Sequence, residues 1–309
     1  MAEVIDSDVF ITPDKEYLQS YARHKIIVKP GDIIENIQML EESLKKGKRP
    51  LIVCNQVDRS IEVYKYLSEK HEGGCLLHSR FTIKDRREKE RMLKDARFLI
   101  GTQAVEVSLD IDYDALFTEP APIDALLQRF GRVNRKKRME LADVFVFEDG
   151  SGIENNPYEN DLVKRSVLEL KKIDKFTEQA ARKVVEEVCK DGYNADEDKE
   201  YSKTRRLFKS HLSSIAPFIE SKDDTNMDNL YKSIEAVPIR YYEEYQKCIE
   251  EKRYFDSRDF ILFVPLYRYH QLNRNGLLMK ENKTLYIKTE YDNEYGPLID
   301  QPIASCEIL

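Results

Sequence analysis

Short apolar runs alternate with amphipathic helical patterns between about residues 26 and 147. Continuous apolar runs of this length are typical of strands buried on both faces of a sheet. Because helical segments separate them, the pattern predicts an α/β fold with a parallel sheet covered by helices on both faces. At least five strands are expected, from the runs His24–Val28, Leu51–Cys54, Cys75–His78, Phe98–Ile100, Ala115–Phe117 and Val144–Phe147.

Helical periodicity is found between these runs, at residues 33–44, 57–67 and 86–94. Asn55 stands just before the second of these helices and is expected to act as its N-cap. Thr82 or Asp85 is expected to cap the third helix, which is highly charged.

The pattern changes after Gly150. Residues 158–236 are helical and very charged, whereas residues 254–300 are rich in Tyr, Phe and Leu and contain short strand-like runs. We therefore predict a linker or extension at 1–25, an α/β domain at 26–150 and a helical, then α+β, accessory domain at 151–309.

Composition limits the class of protein. The net charge of −7 excludes a chain that is polybasic throughout, so any phosphate contact is local. Residues 129–138 hold six Lys or Arg and no acidic residue, which makes this the densest basic patch. The five cysteines are far apart and suggest neither a zinc site nor a disulfide framework. Without a signal peptide or a long apolar run, a cytoplasmic protein is expected, with no membrane partner.

The segment Gln128–Arg135 reads QRFGRVNR and places three arginines at a spacing of three residues. On a helix this spacing puts the three guanidinium groups on one face, and arginine matches phosphate oxygens bidentately. A solvated, basic helix end is the alternative. Ligands of parallel α/β sheets gather where strands end, and polar residues follow several predicted strands in this way: Asn55, Ser79, Arg80, Thr102 and Gln103.

Three segments together resemble the motif series of the second RecA-like domain of superfamily 2 helicases. They are LLHSRF at 76–81, GTQAVEVSLDID at 101–112 and QRFGRVNR at 128–135. The sequence is most similar to the CRISPR-associated helicase of type I systems, closely over residues 26–147 and loosely over 291–298. Ser108 stands where DEAD-box relatives have glycine.

The resemblance implies a role for each matching residue in handling the nucleotide. Arg132 and Arg135 would be arginine fingers that offset charge on the γ-phosphate, and Gln128 and Arg129 would position the nucleotide. Asp110 would bind a ribose hydroxyl, with Asp112 as a supporting carboxylate; the alternative is that both carboxylates only end a strand.

The resemblance also implies a path for single-stranded DNA, bound mostly through its phosphates. The residues expected along it are Asn55, Ser79, Arg80, Thr102 and Gln103.

A phosphate loop of the form GxxxxGK[S/T] does not occur in the sequence, nor does a His-Asp pair of the HD nuclease type. The resemblance implies that ATP and Mg²⁺ bind mainly to a first RecA-like domain, so this chain, as a fragment or split subunit, should not hydrolyse ATP alone. Its expected partners are single-stranded DNA, that first domain, an HD nuclease domain or subunit, and an RNA-guided surveillance complex.

Two alternatives stay open. The chain could belong to another superfamily 2 DNA or RNA translocase. It could also be a nucleotide-independent binding or regulatory module.

Overall fold

A computed structural model describes residues 14–106, 109–150, 158, 160–173, 175–192, 194–214 and 233–302. Most of the predicted extension, the residues 1–13, therefore lies outside the described part, as does Ser108. The chain divides into two compact units. Unit 1 consists of residues 1–74 and 96–190, and unit 2 of residues 75–95 and 191–309.

Unit 1 contains a sheet whose strands follow the order β4-β2-β5-β6-β1-β7. All neighbours are parallel except β7, which runs antiparallel to β1. Every residue of β2, β4 and β5 is buried, as their apolar runs predict. These strands are β1 (Ala22–Lys29), β2 (Pro50–Val53), β4 (Phe98–Gly101), β5 (Ala115–Thr118), β6 (Ala142–Phe147) and β7 (Lys175–Thr177). The predicted parallel α/β fold is confirmed.

The helices of unit 1 follow the predicted pattern with local differences. They are α1 (Lys15–Ser20), α2 (Ile37–Lys45), α3 (Val57–Ser68), α5 (Ile123–Phe130), α6 (Asn160–Leu170) and α7 (Glu178–Val188). The prediction that a helix begins at Ile33 was wrong by four residues. The Asp32 carboxylate accepts the backbone N–H groups of Ile34 and Glu35 at 2.8 and 2.9 Å, which forms a turn and delays the helix.

Unit 1 continues beyond residue 150, because α6, β7 and α7 belong to it. The short strand β7 was not expected from its sequence, and it extends the sheet by pairing with β1. The compact units divide the chain after residues 74, 95 and 190. Compact units need not coincide with domains, so the domain boundaries at 25 and 150 stay a prediction.

Unit 2 contains a four-stranded sheet of mixed direction in the order β10-β11-β8-β9 and a separate antiparallel pair, β12–β13. Its strands are β8 (Ser233–Pro238), β9 (Leu262–Pro265), β10 (Leu278–Glu281), β11 (Thr284–Ile287), β12 (Thr289–Asp292) and β13 (Gly296–Pro302). The helices are α4 (Ile83–Met92), α8 (Ala195–Ser214), α9 (Tyr242–Glu250), α10 (Tyr254–Ser257) and α11 (Leu266–Arg274). The strand β3 (Gly74–Leu77) begins at the last residue before the unit boundary.

The core of unit 2 is rich in aromatic residues and includes the buried side chains of Tyr286, Tyr291 and Tyr241. Helix α4 lies in the same unit, and Ile83 at its start packs against this core. Thr82 caps α4 by accepting the backbone N–H of Asp85 at 3.2 Å, as predicted. Among the described helices, none is long and apolar enough to cross a bilayer.

His24 on β1 is a buried titratable group in unit 1. Its Nε2 lies 2.8 Å from the carbonyl oxygen of Val133, and burial lowers the pKa of the imidazole to about 4. The folded state therefore takes up the proton at a lower pH than the unfolded chain does. Stability from this residue is complete above the unfolded pKa near 6.5 and falls as the pH decreases toward 4.

We expect acidification from pH 7.5 to pH 5 to remove about 2 kcal/mol of unfolding free energy through His24. Urea unfolding of the wild type and of the His24→Gln variant at both pH values measures this. Because other groups titrate in both proteins, the relevant quantity is the change with pH in the difference between them. An unchanged difference would contradict the prediction.

Candidate functional site

The QRFGRVNR segment begins in helix α5 and continues into a turn bound to the 110–114 segment. The helix ends at Phe130, and Asn134 adopts a positive φ of 46°. The backbone N–H of Tyr113 donates to the carbonyl of Arg132 at 3.0 Å, and the N–H of Asn134 donates to the carbonyl of Tyr113 at 2.9 Å. The two motifs of the sequence therefore form one loop cluster within unit 1.

Asp112 organises this cluster. Its carboxylate accepts the backbone N–H groups of Arg135 at 2.8 Å and Lys136 at 3.4 Å, and the Nε–H of Arg138 at 3.1 Å. These bonds fix the turn that carries Arg135. The role of Asp112 as a supporting carboxylate at the ribose stays a prediction, and in this structure its carboxylate binds the turn.

Arg135 and Asp110 form an exposed ion pair in the cluster. Arg135 Nη1 lies 3.2 Å from Asp110 Oδ1, and the side chains are 43% and 74% exposed, respectively. An ion pair this exposed contributes little free energy, so the guanidinium can exchange partners at low cost. Gln128 is also exposed.

Arg132 is half-buried and already bound. Its guanidinium donates to three backbone carbonyls, those of Val105, Glu106 and Leu109. Burial also lowers the pKa of this side chain. To contact a phosphate, Arg132 would have to leave these carbonyls, whereas in its present position it closes the loop that follows β4.

Arg129 is fully buried, with 0% of its side chain exposed. A guanidinium has five N–H donors, and each of them has an acceptor within unit 1. The acceptors are Glu106 Oε1 (2.9 Å), Thr118 Oγ1 (2.7 Å), the Glu119 carbonyl (3.1 Å), Asn55 Oδ1 (3.1 Å) and the Tyr158 hydroxyl (3.0 Å). Arg129 therefore joins the ends of β2 and β5 to the loop after β4, and in this structure it presents no surface to a nucleotide.

Asn55 does not cap helix α3, so that prediction was wrong. Gln56 holds the N-cap position without a side-chain capping bond to the helix, and the Asn55 side chain instead donates to the Pro120 carbonyl at 2.8 Å and accepts from Arg129. Gln103 Nε2 donates to the Asn55 carbonyl at 3.0 Å. Asn55 and Thr102 are buried, whereas Gln103 is half-buried, so part of its side chain is accessible to a ligand such as single-stranded DNA.

Several residues of this network were missed in the sequence: Glu106, Thr118, Glu119 and Tyr158. Thr118 and Glu119 had a detectable signal, because they stand at the carboxyl end of a predicted strand. Glu119 Oε2 accepts the backbone N–H of Asn55 at 2.6 Å, which holds the β2 end in place. Tyr158 carried no such signal, since it lies in a polar stretch far from any predicted strand.

The predicted DNA contacts Ser79 and Arg80 lie in unit 2, in the loop before α4. Ser79 is exposed, whereas Arg80 is buried. Thr82 at the end of this loop donates its backbone N–H to the Tyr291 hydroxyl at 3.0 Å. Burial, followed by the hydrogen bond to Asp85, raises the pKa of Tyr291 well above its usual range. The phenol therefore stays protonated at neutral pH.

Among the described residues, no group of three or more His, Cys, Asp or Glu side chains is arranged to hold a metal ion. The exposed guanidinium of Arg135 and the exposed carboxylate of Asp110 have the chemistry that suits a phosphate and a ribose hydroxyl, respectively.

Comparison with known families identifies the region that contains this cluster. Residues 46–138 match the model of the C-terminal region of the CRISPR-associated nuclease/helicase Cas3. The chain is 30% identical over 225 residues to a putative CRISPR-associated nuclease/helicase Cas3 from Methanocaldococcus jannaschii. The match covers 67% of this chain and 31% of that protein. The chain thus spans less than a third of the length of this relative.

Solved structures share the fold. A chain in a CRISPR RNA-guided surveillance complex captured before nicking superposes with a TM-score of 0.55 and 16% identity, covering 89% of this chain and 44% of that one. The Cas3 of T. fusca with ATP gives a TM-score of 0.50 and 18% identity, covering 77% of this chain and 32% of that one.

Proposed function

Because the chain belongs, through residues 46–138, to the family of Cas3-like C-terminal regions, we propose that it is the C-terminal motor half of an ATP-dependent helicase. This half moves along single-stranded DNA during CRISPR interference. It supplies an arginine finger and DNA contacts to a nucleotide cleft whose other wall is a first RecA-like domain. ATP and Mg²⁺ bind mainly to that first domain.

On the nucleotide side, Arg135 donates N–H groups to phosphate oxygens and offsets the negative charge that develops there. Asp110 accepts a hydrogen bond from the ribose, and Gln128 is available at the cleft surface. Asp112 holds the turn, and Arg132 and Arg129 hold the loops behind it. Hydrolysis of the bound ATP supplies the free energy that closes and opens the cleft.

On the DNA side, Ser79 and Gln103 contact the phosphates, and Asn55, Thr102 and Arg80 support their loops from buried positions. Contacts of this kind hold a strand without reading its sequence. The expected substrate is the strand displaced by an RNA-guided surveillance complex, with movement from 3′ to 5′ and an HD nuclease domain or subunit as a further partner.

The observation that carries the proposal is the Arg135–Asp110 pair. Arg135 is an exposed cation in a weak ion pair, and hydrogen bonds of Asp112 and Asn134 hold the turn that carries it. The bonded turn fixes the backbone from which the guanidinium extends, and donors that are positioned before the reaction stabilise developing charge at lower cost.

The test is reconstitution of the chain with a first RecA-like domain that carries a phosphate loop. We expect neither component alone to release phosphate from ATP, and the combination to do so with stimulation by oligothymidylate. A first domain with its phosphate-loop lysine replaced serves as the control.

ATP hydrolysis by the chain alone would contradict the proposal, as would a reconstituted pair that DNA does not stimulate. Equal stimulation by RNA would favour another superfamily 2 translocase. Tight DNA binding that nucleotide never alters would favour a nucleotide-independent module.

A further inference from the structure

We propose that the hairpin formed by residues 291–296 positions the loop at residues 78–82 for contact with single-stranded DNA. The proposal rests on the proposed function, which assigns DNA contact to Ser79. It adds a role for Tyr291 and for the carbonyl of Tyr295 as positioning groups. Both segments belong to unit 2.

His78 connects the loop to the hairpin. The backbone N–H of Arg80 donates to His78 Nδ1 at 3.2 Å, so Nδ1 is the unprotonated nitrogen of the ring. The proton is then on Nε2, which donates to the carbonyl of Tyr295 at 3.2 Å. The imidazole also stacks on Phe81, with ring centroids 4.1 Å apart and planes inclined by 5°. One side chain therefore shapes the turn around Ser79 and fastens it to the hairpin.

Tyr291 fixes the other end of the loop. Its hydroxyl accepts the backbone N–H of Thr82 at 3.0 Å and donates to Asp85 Oδ2 at 2.5 Å. The same carboxylate oxygen accepts from Thr82 Oγ1 at 2.8 Å. These groups are buried, so an unmade bond would leave a polar group without water to replace its partner.

The hairpin is itself held in one shape. Asp292 Oδ1 accepts the backbone N–H groups of Glu294 and Tyr295 at 2.6 and 3.0 Å, which forms the turn. Gly296 follows with φ of +79°, and a Cβ at this position would lie 3.2 Å from His78 Cε1 and 3.5 Å from the Arg80 carbonyl. The positive φ and the close approach of hairpin and loop thus both favour glycine at residue 296.

A second link runs from the hairpin to helix α4, which follows the loop. Lys89 Nζ donates to the Glu294 carbonyl at 3.2 Å and lies 4.4 Å from the centre of the Phe81 ring. The loop is therefore supported at His78, Phe81 and Thr82, while Ser79 alone among residues 78–82 is exposed. This is the arrangement expected of a contact residue presented by a rigid support.

The experiment measures the affinity of the 309-residue chain for fluorescein-labelled oligothymidylate by anisotropy, with the bound stoichiometry titrated in parallel. We expect Tyr291→Phe to raise Kd about tenfold while the fraction of chains that bind stays at the wild-type value. Tyr242→Phe is the matched control, because its hydroxyl bonds at 2.9 Å to Glu281, which lies in the same unit but in neither the loop nor the hairpin. It should leave Kd unchanged.

Two substitutions at His78 separate the link to the hairpin from the local turn. His78→Asn keeps an acceptor for the Arg80 N–H but is too short to reach Tyr295, whereas His78→Gln keeps a donor that can reach the Tyr295 carbonyl. We expect His78→Asn to raise Kd about fivefold and His78→Gln to stay closer to the wild type. The reverse order would overturn the inference, because the loop would then hold its shape without the hairpin.

Ser79→Glu distinguishes failure of this inference from failure of the proposed function. If Ser79→Glu weakens binding but Tyr291→Phe and His78→Asn do not, the loop binds DNA without help from the hairpin and the inference is wrong. If Ser79→Glu itself leaves Kd unchanged, the DNA contact assigned to this loop is wrong, and the positioning role fails with it. A loss of binding stoichiometry at unchanged Kd would show a purely structural role for Tyr291.

Discussion

Replacing Arg135 with alanine is expected to lower the saturating rate of DNA-stimulated ATP hydrolysis about a thousandfold in the reconstituted enzyme. An arginine finger contributes roughly 10³–10⁵ in rate in other NTPases. The substitution should leave the turn intact, since the bond to Asp112 uses the backbone N–H of residue 135. We therefore expect the substitution to lower the saturating rate of ATP hydrolysis and to leave the half-saturating DNA concentration unchanged.

Controls for this variant come from the same unit. Arg182→Ala removes another exposed arginine, 76% exposed against 43% for Arg135, which pairs with Glu186 one turn along α7, and should leave the rate unchanged. Arg135→Lys keeps the charge but loses the planar fork, so an intermediate rate is expected. A rate within twofold of the wild type for Arg135→Ala would contradict the finger assignment.

Arg132→Ala is expected to change a different kinetic quantity from Arg135→Ala. Because Arg132 binds the carbonyls of the loop after β4, its removal should loosen that loop and raise the half-saturating DNA concentration. If Arg132→Ala instead lowers only the saturating rate, and by more than Arg135→Ala does, then Arg132 is the finger and must leave its carbonyls when the cleft closes.

The central sheet could be predicted from the sequence because burial on both faces leaves a direct pattern. The strands β2, β4 and β5 are continuous apolar runs, and each is fully buried. Strand β7 could not be predicted, because three residues with alternating burial carry too little signal. The start of α2 was misplaced because the Asp32 side chain, and not the apolar periodicity, decides where the helix begins.

The sequence predicted which segments form the site, but it did not predict the hydrogen bonds between their side chains. The motifs identified the segments that come together, such as 110–113 and 132–135. They did not reveal that Arg129 is buried or that Asn55 bonds to it across 74 positions of sequence. The hydrogen bond from Arg129 outweighs the local preference of Asn55 for the N-cap position, since the buried guanidinium needs an acceptor for every N–H group.

Replacing Arg129 with alanine is expected to lower the unfolding free energy of the chain by about 3–5 kcal/mol. The variant loses all five donors and leaves the Glu106 carboxylate, which is 11% exposed, without its cation. The loss also removes one of the links between the β2 end and the β5 end, because Asn55 and Thr118 share this partner. Urea unfolding followed by circular dichroism measures the effect.

Two further variants identify the cause of that loss. Arg129→Lys keeps the charge but cannot reach all the acceptors at once, so we expect it to remain well below the wild type. The double variant Arg129→Met/Glu106→Gln removes both charges while keeping side-chain volume, and it should recover part of the stability lost in Arg129→Ala. If the double variant is as unstable as Arg129→Ala, then the lost hydrogen bonds to Thr118, Glu119 and Asn55 dominate over the uncompensated charge of Glu106. A loss below about 1 kcal/mol in Arg129→Ala would contradict the buried network itself, because it would place this guanidinium in water.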